Sequence, residues 1–135
     1  MKVLSKPKKI SDQILDGLVR KYNRLVSGGF CKRCKGYVSE AMIETSHMFG
    51  RRRKTVRWDL RNVYPLCKND VRTGRKGCHE TVDNDPVAKA SFMYEVLSPE
   101  DIEDLQRLAN MTIKQYPIDR GKIKSDLEEK IKFLE

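Results

Sequence analysis

The 135-residue sequence has no long apolar run, and no uninterrupted stretch approaches the roughly 20 residues that a membrane-spanning helix needs. The basic N-terminus, "MKVLSKPKKISDQ", is not followed by the apolar core of a secretory signal, so we expect the protein in the cytoplasm and away from membranes. Thiols stay reduced in that compartment, where cysteines bind metals more often than they pair. The composition, 39% hydrophobic and 35% charged, is typical of a globular protein.

Acidic side chains are scarce in the first part of the chain. Residues 1–31 carry seven basic and two acidic side chains, residues 32–76 carry thirteen and four, and residues 77–135 carry eight and thirteen. The first 76 residues therefore carry a net charge of +14 and the remainder −5, which together give the overall +9. This asymmetry indicates either a cationic face for a polyanion, most simply nucleic acid, or a solvated surface with a chance bias; charge alone does not separate the two.

Hydrophobic periodicity predicts mostly helices. Apolar residues recur at three- and four-residue steps over 10–26, which predicts an amphipathic helix capped by Ser11 and ended by Gly28. The stretches "AMIETS" and "NVYPLC" predict the two strands of a hairpin. Three later helices are predicted over 86–97, from Pro99, and over 124–134. The last helix can either pack on the body or pair with a second copy in a homodimer.

The four cysteines have a spacing that is typical of a zinc site. Cys31 and Cys34 form a CxxC, which lets two thiolates reach one ion from a single tight turn, and Cys67 and Cys78 complete a tetrahedral set. No thioredoxin-like pattern surrounds the CxxC, so a structural zinc is favoured over redox or free cysteines. Because His79 follows the last cysteine directly, a site of three cysteines and one histidine stays open as an alternative.

The order of further motifs is specific. His47 follows the first predicted strand, Asn62 opens the second, and His79 begins the helix after the last cysteine. Together with "CKRC", "SHMFGR", "RWDLRN", and "LC" followed ten residues later by "CH", this order resembles the HNH (ββα-metal) nuclease superfamily. The closer resemblance is to the phage NinG/Rap group of recombination nucleases, and it covers about residues 30–80.

This resemblance implies an α+β fold with a zinc-knuckle-stabilised, treble-clef-like ββα-metal core. The nuclease core would span residues 30–97, flanked by a basic N-terminal helix within residues 1–29 and a helical extension over residues 98–135, in one compact domain. The implied function is a metal-dependent DNA endonuclease acting on branched, nicked or single-stranded intermediates of phage recombination or replication. If a phage encodes the protein, its location is the cytoplasm of the host cell.

The resemblance also assigns roles to residues. His47, a residue type that titrates at about pH 6.5, is the expected general base, Asn62 steadies the loop and orients that base, and His79 holds a catalytic Mg²⁺ or Mn²⁺. Ser46 stands where many of these enzymes have an aspartate ligand, so water, phosphate and one further protein oxygen are expected to complete the shell. The predicted phosphate or DNA contacts are Arg51, Arg52, Arg53, Lys54, Arg57, Arg61, Arg72, Arg75 and Lys76.

One function of another class stays open. A zinc-ribbon-like module that binds DNA or RNA without catalysis would use "RRRKTVR" for affinity, and its histidines would be structural. Trp58 is predicted to be a core or hinge residue, with stacking on a base as the alternative, and Asp59 to pair with a nearby arginine. Because no separate specificity domain is recognisable, we expect salt-sensitive binding with weak sequence preference.

Overall fold

The computed structural model describes residues 9–135; the first part of the predicted basic segment, residues 1–8, lies outside the described residues. The described chain is α+β, with two strands and five helices. In chain order these are α1 (Asp12–Ser27), β1 (Ile43–His47), β2 (Val63–Cys67), α2 (Cys78–Asn84), α3 (Pro86–Val96), α4 (Pro99–Ala109) and α5 (Arg120–Leu134). Among the described residues, no helix is long and apolar enough to cross a membrane.

The two strands form the predicted antiparallel hairpin. Ile43 lies opposite Cys67 and His47 lies opposite Val63. Every residue of β2 is buried, because helices cover both faces of the hairpin. Neighbouring residues on a strand point to opposite faces, so Val63 packs with α1 and α5 while Tyr64 packs with α2 and α3. A third cluster joins α4 to the long loop between the strands.

The helix ends agree with the local signals in the sequence. The Ser11 hydroxyl accepts a hydrogen bond from the backbone N–H of Ile14 (3.2 Å), and Gly28 ends α1 in the left-handed conformation with a φ of 57°. Asp85 and Ser98 cap α3 and α4, and each is followed by a proline in the first turn. These helix starts were all predicted from the sequence.

The last helix is longer than predicted. It begins at Arg120 rather than near Lys124, because the Asp119 carboxylate accepts from the backbone N–H of Lys122 and caps an earlier start (3.0 Å). α5 packs along α1, where Leu127 and Ile131 are buried. Packing on the body, one of the two predicted alternatives, is therefore observed, and pairing with a second copy stays a prediction.

Asp16 of α1 connects that helix to the loop between the strands. Its carboxylate accepts from the indole N–H of Trp58 (2.8 Å) and pairs with the Arg57 guanidinium (2.6 Å). Trp58 is buried, as predicted for a core residue, and Asp59 pairs with Arg61 (2.8 Å), also as predicted. The loop is consequently tied to α1 on one side and, through Arg61, to α4 on the other.

Candidate active site and metal centre

The four cysteines converge from three parts of the fold. Cys31 and Cys34 lie in the turn after α1, Cys67 ends β2 and Cys78 begins α2. Their Sγ atoms all lie within 4.8 Å of one another, and the Cys34 and Cys67 sulfurs are 4.0 Å apart. Four sulfurs around one zinc lie about 3.8 Å apart, given Zn–S bonds of about 2.3 Å. The cluster could therefore hold a zinc ion after small movements, and it uses four cysteines without His79.

Hydrogen-bond donors surround these sulfurs. Arg75 Nη2 lies 3.2 Å from Cys67 Sγ and 3.5 Å from Cys34 Sγ, and Arg33 Nη1 lies 3.5 Å from Cys78 Sγ. Burial raises the pKa of the Cys78 thiol to about 12, so a positive ion is needed to hold it as a thiolate at neutral pH. The guanidinium groups would offset the negative charge of a zinc ion with four thiolates.

The ten residues between Cys67 and Cys78 form a short turn that returns the chain to the cluster. The backbone of Asp70 pairs with that of Arg75, and the Asn69 side chain accepts from the Gly77 N–H (2.7 Å). A Cβ at Gly77 would lie 2.5 Å from the Cys67 carbonyl oxygen, so only glycine allows this approach. These ten residues therefore bring Cys78 back to the other three cysteines.

His47 and His79 lie in the wall of one pocket of about 240 Å³. The pocket lies where α1, β1 and the start of α2 meet, and the loop after β1 closes one side. Its polar and charged lining residues are Asp16, Arg20, Arg24, Glu44, Thr45, His47, Arg51 and His79. The fold thus brings both predicted catalytic histidines to the same concave surface.

His47, at the end of β1, is partly buried in this pocket. Burial lowers the pKa of its imidazole, and the nearby positive charge of Arg51 lowers it further. The Asp16 carboxylate and a hydrogen bond with the Arg57 backbone act in the opposite direction without reversing the shift. The side chain is therefore neutral at pH 7, which is the state in which an imidazole accepts a proton.

His79 has a carboxylate beside each of its ring nitrogens. Nδ1 lies 3.1 Å from Oε1 of Glu44 on β1, and Nε2 lies 3.2 Å from Oδ2 of Asp83, one turn later on α2. The side chain is 25% exposed, so a ligand in the pocket could reach it. An imidazole with neighbouring carboxylates is a donor set that suits a divalent cation.

Asn62 lies outside the pocket and is completely buried. Its amide donates to the carbonyl groups of Phe49 (3.0 Å) and Val56 (2.9 Å), and its oxygen accepts from the Phe49 N–H (2.7 Å). Its own carbonyl accepts from the N–H of Met48, next to His47 (2.8 Å). Asn62 can therefore steady the loop and the end of β1, but it does not contact a substrate in the pocket.

Two of the arginines predicted to contact DNA are held by carboxylates. Arg57 is only 13% exposed and pairs with Asp16 and Asp12, while Arg61 pairs with Asp59 and Asp104. Hydrogen bonds that Arg61 donates to Asp59 and Asp104 raise the pKa of its guanidinium despite its partial burial. Neither side chain lines the histidine pocket, so the structure gives both a role in holding the loop.

The other predicted DNA contacts lie on the surface or beside the cysteines. Arg51 lines the pocket, and Arg53 is exposed with one hydrogen bond to the Ala109 carbonyl (3.3 Å). Lys54 pairs with Asp12 (3.3 Å), while Arg75 contacts the cysteine sulfurs. The remaining three, Arg52, Arg72 and Lys76, are exposed. Most of the predicted basic residues therefore remain accessible to a polyanion.

Three residues of the pocket were missed in the sequence. Arg20 and Arg24, one turn apart on α1, and Glu44 on β1 all line it. The basic excess of residues 1–31 was the available signal for the two arginines, but only the packing of α1 beside β1 places them here. Arg24 Nε is buried and has no hydrogen-bond partner among the described residues.

The site combines a neutral imidazole, a second imidazole beside carboxylates, and three arginines around one pocket. Such an arrangement can accept a proton, bind a divalent cation and bind a phosphate group. No family model matches the chain, and neither a curated protein nor a solved structure shows significant similarity to it.

Proposed function

We propose that the protein is a metal-dependent endonuclease that hydrolyses phosphodiester bonds in DNA. The observation that carries this proposal is the convergence of His47, His79 and three arginines on one pocket beside a hairpin and a helix. The order of motifs in the sequence, which resembles that of the HNH nucleases, agrees with this placement.

His47 is the general base in this proposal. Its neutral imidazole takes a proton from the attacking water. A divalent ion, Mg²⁺ or Mn²⁺, held at His79 would supply positive charge beside the phosphate as negative charge grows there. Asn62 is a positioning residue that acts through the loop it fastens.

Arg20, Arg24 and Arg51 provide the phosphate contacts inside the pocket. Basic residues outside the pocket bind the flanking DNA backbone; they are the exposed Arg52, Arg53, Arg72 and Lys76 and the partly buried Lys54. Since these contacts are to phosphates, binding is expected to weaken steeply with salt and to depend little on sequence. Branched, nicked or single-stranded intermediates of phage recombination or replication are the proposed substrates, following the resemblance.

The four-cysteine cluster holds a structural zinc in this proposal. Four protein ligands close the coordination sphere, which is typical of structural rather than catalytic zinc. The ion would join the turn after α1, the end of β2 and the start of α2. It would thereby place His79, which follows Cys78 directly, against β1.

The test is a cleavage panel of single-stranded, duplex, flap and four-way-junction DNA with Mg²⁺ or Mn²⁺. Wild type is expected to cut at least one of these substrates, and His47→Ala to lose cutting while it retains DNA binding and zinc content. Arg107→Ala, at an exposed arginine of α4 outside the pocket, is the matched surface control and should cut like wild type.

Two results would overturn the proposal. Unchanged cleavage by His47→Ala would remove the assigned base. Tight binding by wild type without cleavage, across metals and substrates, would instead favour a zinc-ribbon-like module that binds nucleic acid without catalysis.

A further inference from the structure

We propose that Glu44 is the protein carboxylate that completes the divalent-ion site at His79. This inference rests on the proposed nuclease function, since it names a ligand in the same pocket. The sequence leaves this ligand unassigned, because the position before His47 holds Ser46 in place of an acidic residue.

The spacing of the two side chains supports a shared ion. Glu44 Oε1 lies 3.1 Å from Nδ1 of His79, although the residues are 35 positions apart in the sequence. Neighbouring ligands on an octahedral ion lie about 3 Å apart, because each lies about 2.1 Å from the metal. One ion could therefore bind both atoms after a small movement of the half-exposed Glu44 side chain.

The opposite side of the imidazole favours the same assignment. A metal-bound histidine usually donates its other ring N–H to a carboxylate, which fixes the tautomer and the ring orientation. Asp83 Oδ2, 3.2 Å from Nε2 of His79, is placed to accept that hydrogen bond. Nδ1 is then the nitrogen left for the ion, and Glu44 is the carboxylate beside it.

The position of the two carboxylates relative to His47 also separates them. Glu44 and His79 line both the pocket that contains His47 and a neighbouring depression of about 230 Å³, whereas Asp83 lines the depression but not the pocket. Of the two carboxylates beside His79, Glu44 is therefore the one that shares a pocket with His47 and the arginines. Glu44 is thus a metal ligand and Asp83 is a positioning residue.

The geometry of β1 favours position 44 over position 46 for the carboxylate ligand. Residues 44 and 46 share one face of β1, because side chains alternate along a strand. Ser46 is completely buried opposite Tyr64, and its hydroxyl has no hydrogen-bond partner among the described residues. A carboxylate there would be removed from water, whereas Glu44 lies at the exposed end of the same face.

The test measures Mn²⁺ binding to the zinc-loaded full chain by isothermal titration and by electron paramagnetic resonance. Mn²⁺ is a suitable probe because it does not displace zinc from thiolates. Glu44→Gln is expected to raise the Kd for Mn²⁺ by about tenfold or more. Glu80→Gln is the matched control, since Glu80 lies next to His79 in α2 but hydrogen-bonds Asn69; it should stay within about twofold of wild type.

The outcomes separate the inference from the proposed function. Weaker Mn²⁺ binding in Glu44→Gln, but not in Glu80→Gln, would support Glu44 as a metal ligand. This conclusion would hold even if wild type cut no DNA, an absence of cleavage that would overturn only the nuclease proposal. Unchanged Mn²⁺ binding in Glu44→Gln, equal loss in Glu80→Gln, or no Mn²⁺ binding by wild type would overturn the ligand even if wild type cut DNA. Unchanged zinc content and circular dichroism would verify that each variant is folded.

Discussion

The imidazole of His47 lies between charges of opposite sign. Arg51, from the loop after β1, lowers the pKa of the imidazole, and Asp16, from α1, raises it. Burial has the largest effect and lowers the pKa. The protonation state of the proposed base therefore depends on side chains from two separate elements that meet at the pocket.

The pH dependence of cleavage provides a prediction at the scale of this residue. Because a base must be neutral, kcat/KM falls as the pH drops through the pKa of His47, and the midpoint of this acid limb should lie below the ordinary histidine value of 6.5. Arg51→Gln removes a positive charge, so the midpoint should move upward. Cleavage rates measured across pH at fixed ionic strength would test this.

Arg107→Gln removes an equal charge from α4, outside the pocket, and should leave the midpoint where it is in wild type. A midpoint in Arg51→Gln that stays at the wild-type value, or moves downward, would contradict the assignment of His47 as the titrating base. Because a loss of phosphate contacts lowers the rate at all pH values, the midpoint distinguishes the two effects of Arg51.

The residues of the candidate site differ in how well the sequence predicts them. His47 and His79 follow from motif order, since each stands next to a recognisable strand or cysteine. Glu44, Arg20 and Arg24 do not, because their place in the pocket depends on how β1 and α1 pack against α2 and each other. Periodicity predicts which face of a helix is apolar, but not which residues of other elements will lie beside its polar side chains.

At the scale of elements, α1 has two functions in the molecule. Its buried side, with Leu15 and Val19, packs on the hairpin, and its basic edge lines the pocket. Asp16 lies between these regions and holds the loop that carries Arg57 and Trp58. The proposed phosphate contacts of α1 thus depend on an ion pair that fixes the helix against the loop.

Substitution of this carboxylate is the prediction at that scale. Asp16→Ala leaves the buried Trp58 N–H without its partner and the Arg57 guanidinium with Asp12 as its remaining carboxylate, so the free energy of unfolding should fall by about 1–3 kcal/mol. Urea unfolding of the zinc-loaded protein at pH 7 measures it. Glu103→Ala, on an exposed part of α4, is the control and should change it by less than about 0.5 kcal/mol.

The difference in the free energy of unfolding between wild type and Asp16→Ala should be smaller at acidic pH. Burial raises the pKa of Asp16, but hydrogen bonds from Arg57 and Trp58 outweigh it and hold the pKa below 3.8. Its stabilising effect is therefore complete above pH 3.8 and is lost as the pH falls through the folded-state value. A difference that persists unchanged at the lowest pH at which wild type is folded would contradict this origin.

Element boundaries were predictable where caps and breakers stand beside an apolar pattern. Ser11, Asp85 and Ser98 each start a helix in the structure as in the sequence. The first turn of α5, "RGKI", contains a glycine and two basic residues. Apolar periodicity therefore does not indicate where this helix begins. The capping bond of Asp119 is visible only once the backbone is placed.

At the scale of the whole molecule, the cysteine cluster belongs to the hydrophobic core. Cys31, Cys67 and Cys78 are buried in the cluster that contains Tyr64 and Phe92. A metal ion bound to these sulfurs would join the elements that pack around this core, because its binding free energy adds to the free energy of folding. The proposed zinc therefore acts as a centre of folding as well as a positioner of α2.

Removal of the metal is the prediction at this scale. Structural zinc contributes about 10–16 kcal/mol of binding free energy, while small domains have about 5–15 kcal/mol of stability in total, so chelation should unfold the protein. Metal analysis should find one tight zinc per chain. Circular dichroism during titration with a strong chelator should report the loss of helix, and added Zn²⁺, but not Mg²⁺, should restore it.

Cys34→Ser offers a milder version of the same experiment, because it removes the one cysteine that is exposed. It should lower zinc affinity and the thermal unfolding midpoint together. A chain that keeps its helical signal and its midpoint after complete loss of zinc would contradict the proposed role of the cluster.

The contact between α1 and α5 has a consequence for the order of events during folding. Arg120 donates to the Ile10 carbonyl and pairs with Asp12, which closes a loop of more than a hundred residues. Such distant contacts form slowly, because the entropy of closing the chain is lost before the contact is made. During translation α1 is made long before α5, so the arginine-lined wall of the pocket gains its full support only after α5 has left the ribosome. A growing chain would therefore complete the proposed phosphate-binding surface late, when the four cysteines and both histidines are already outside the ribosome.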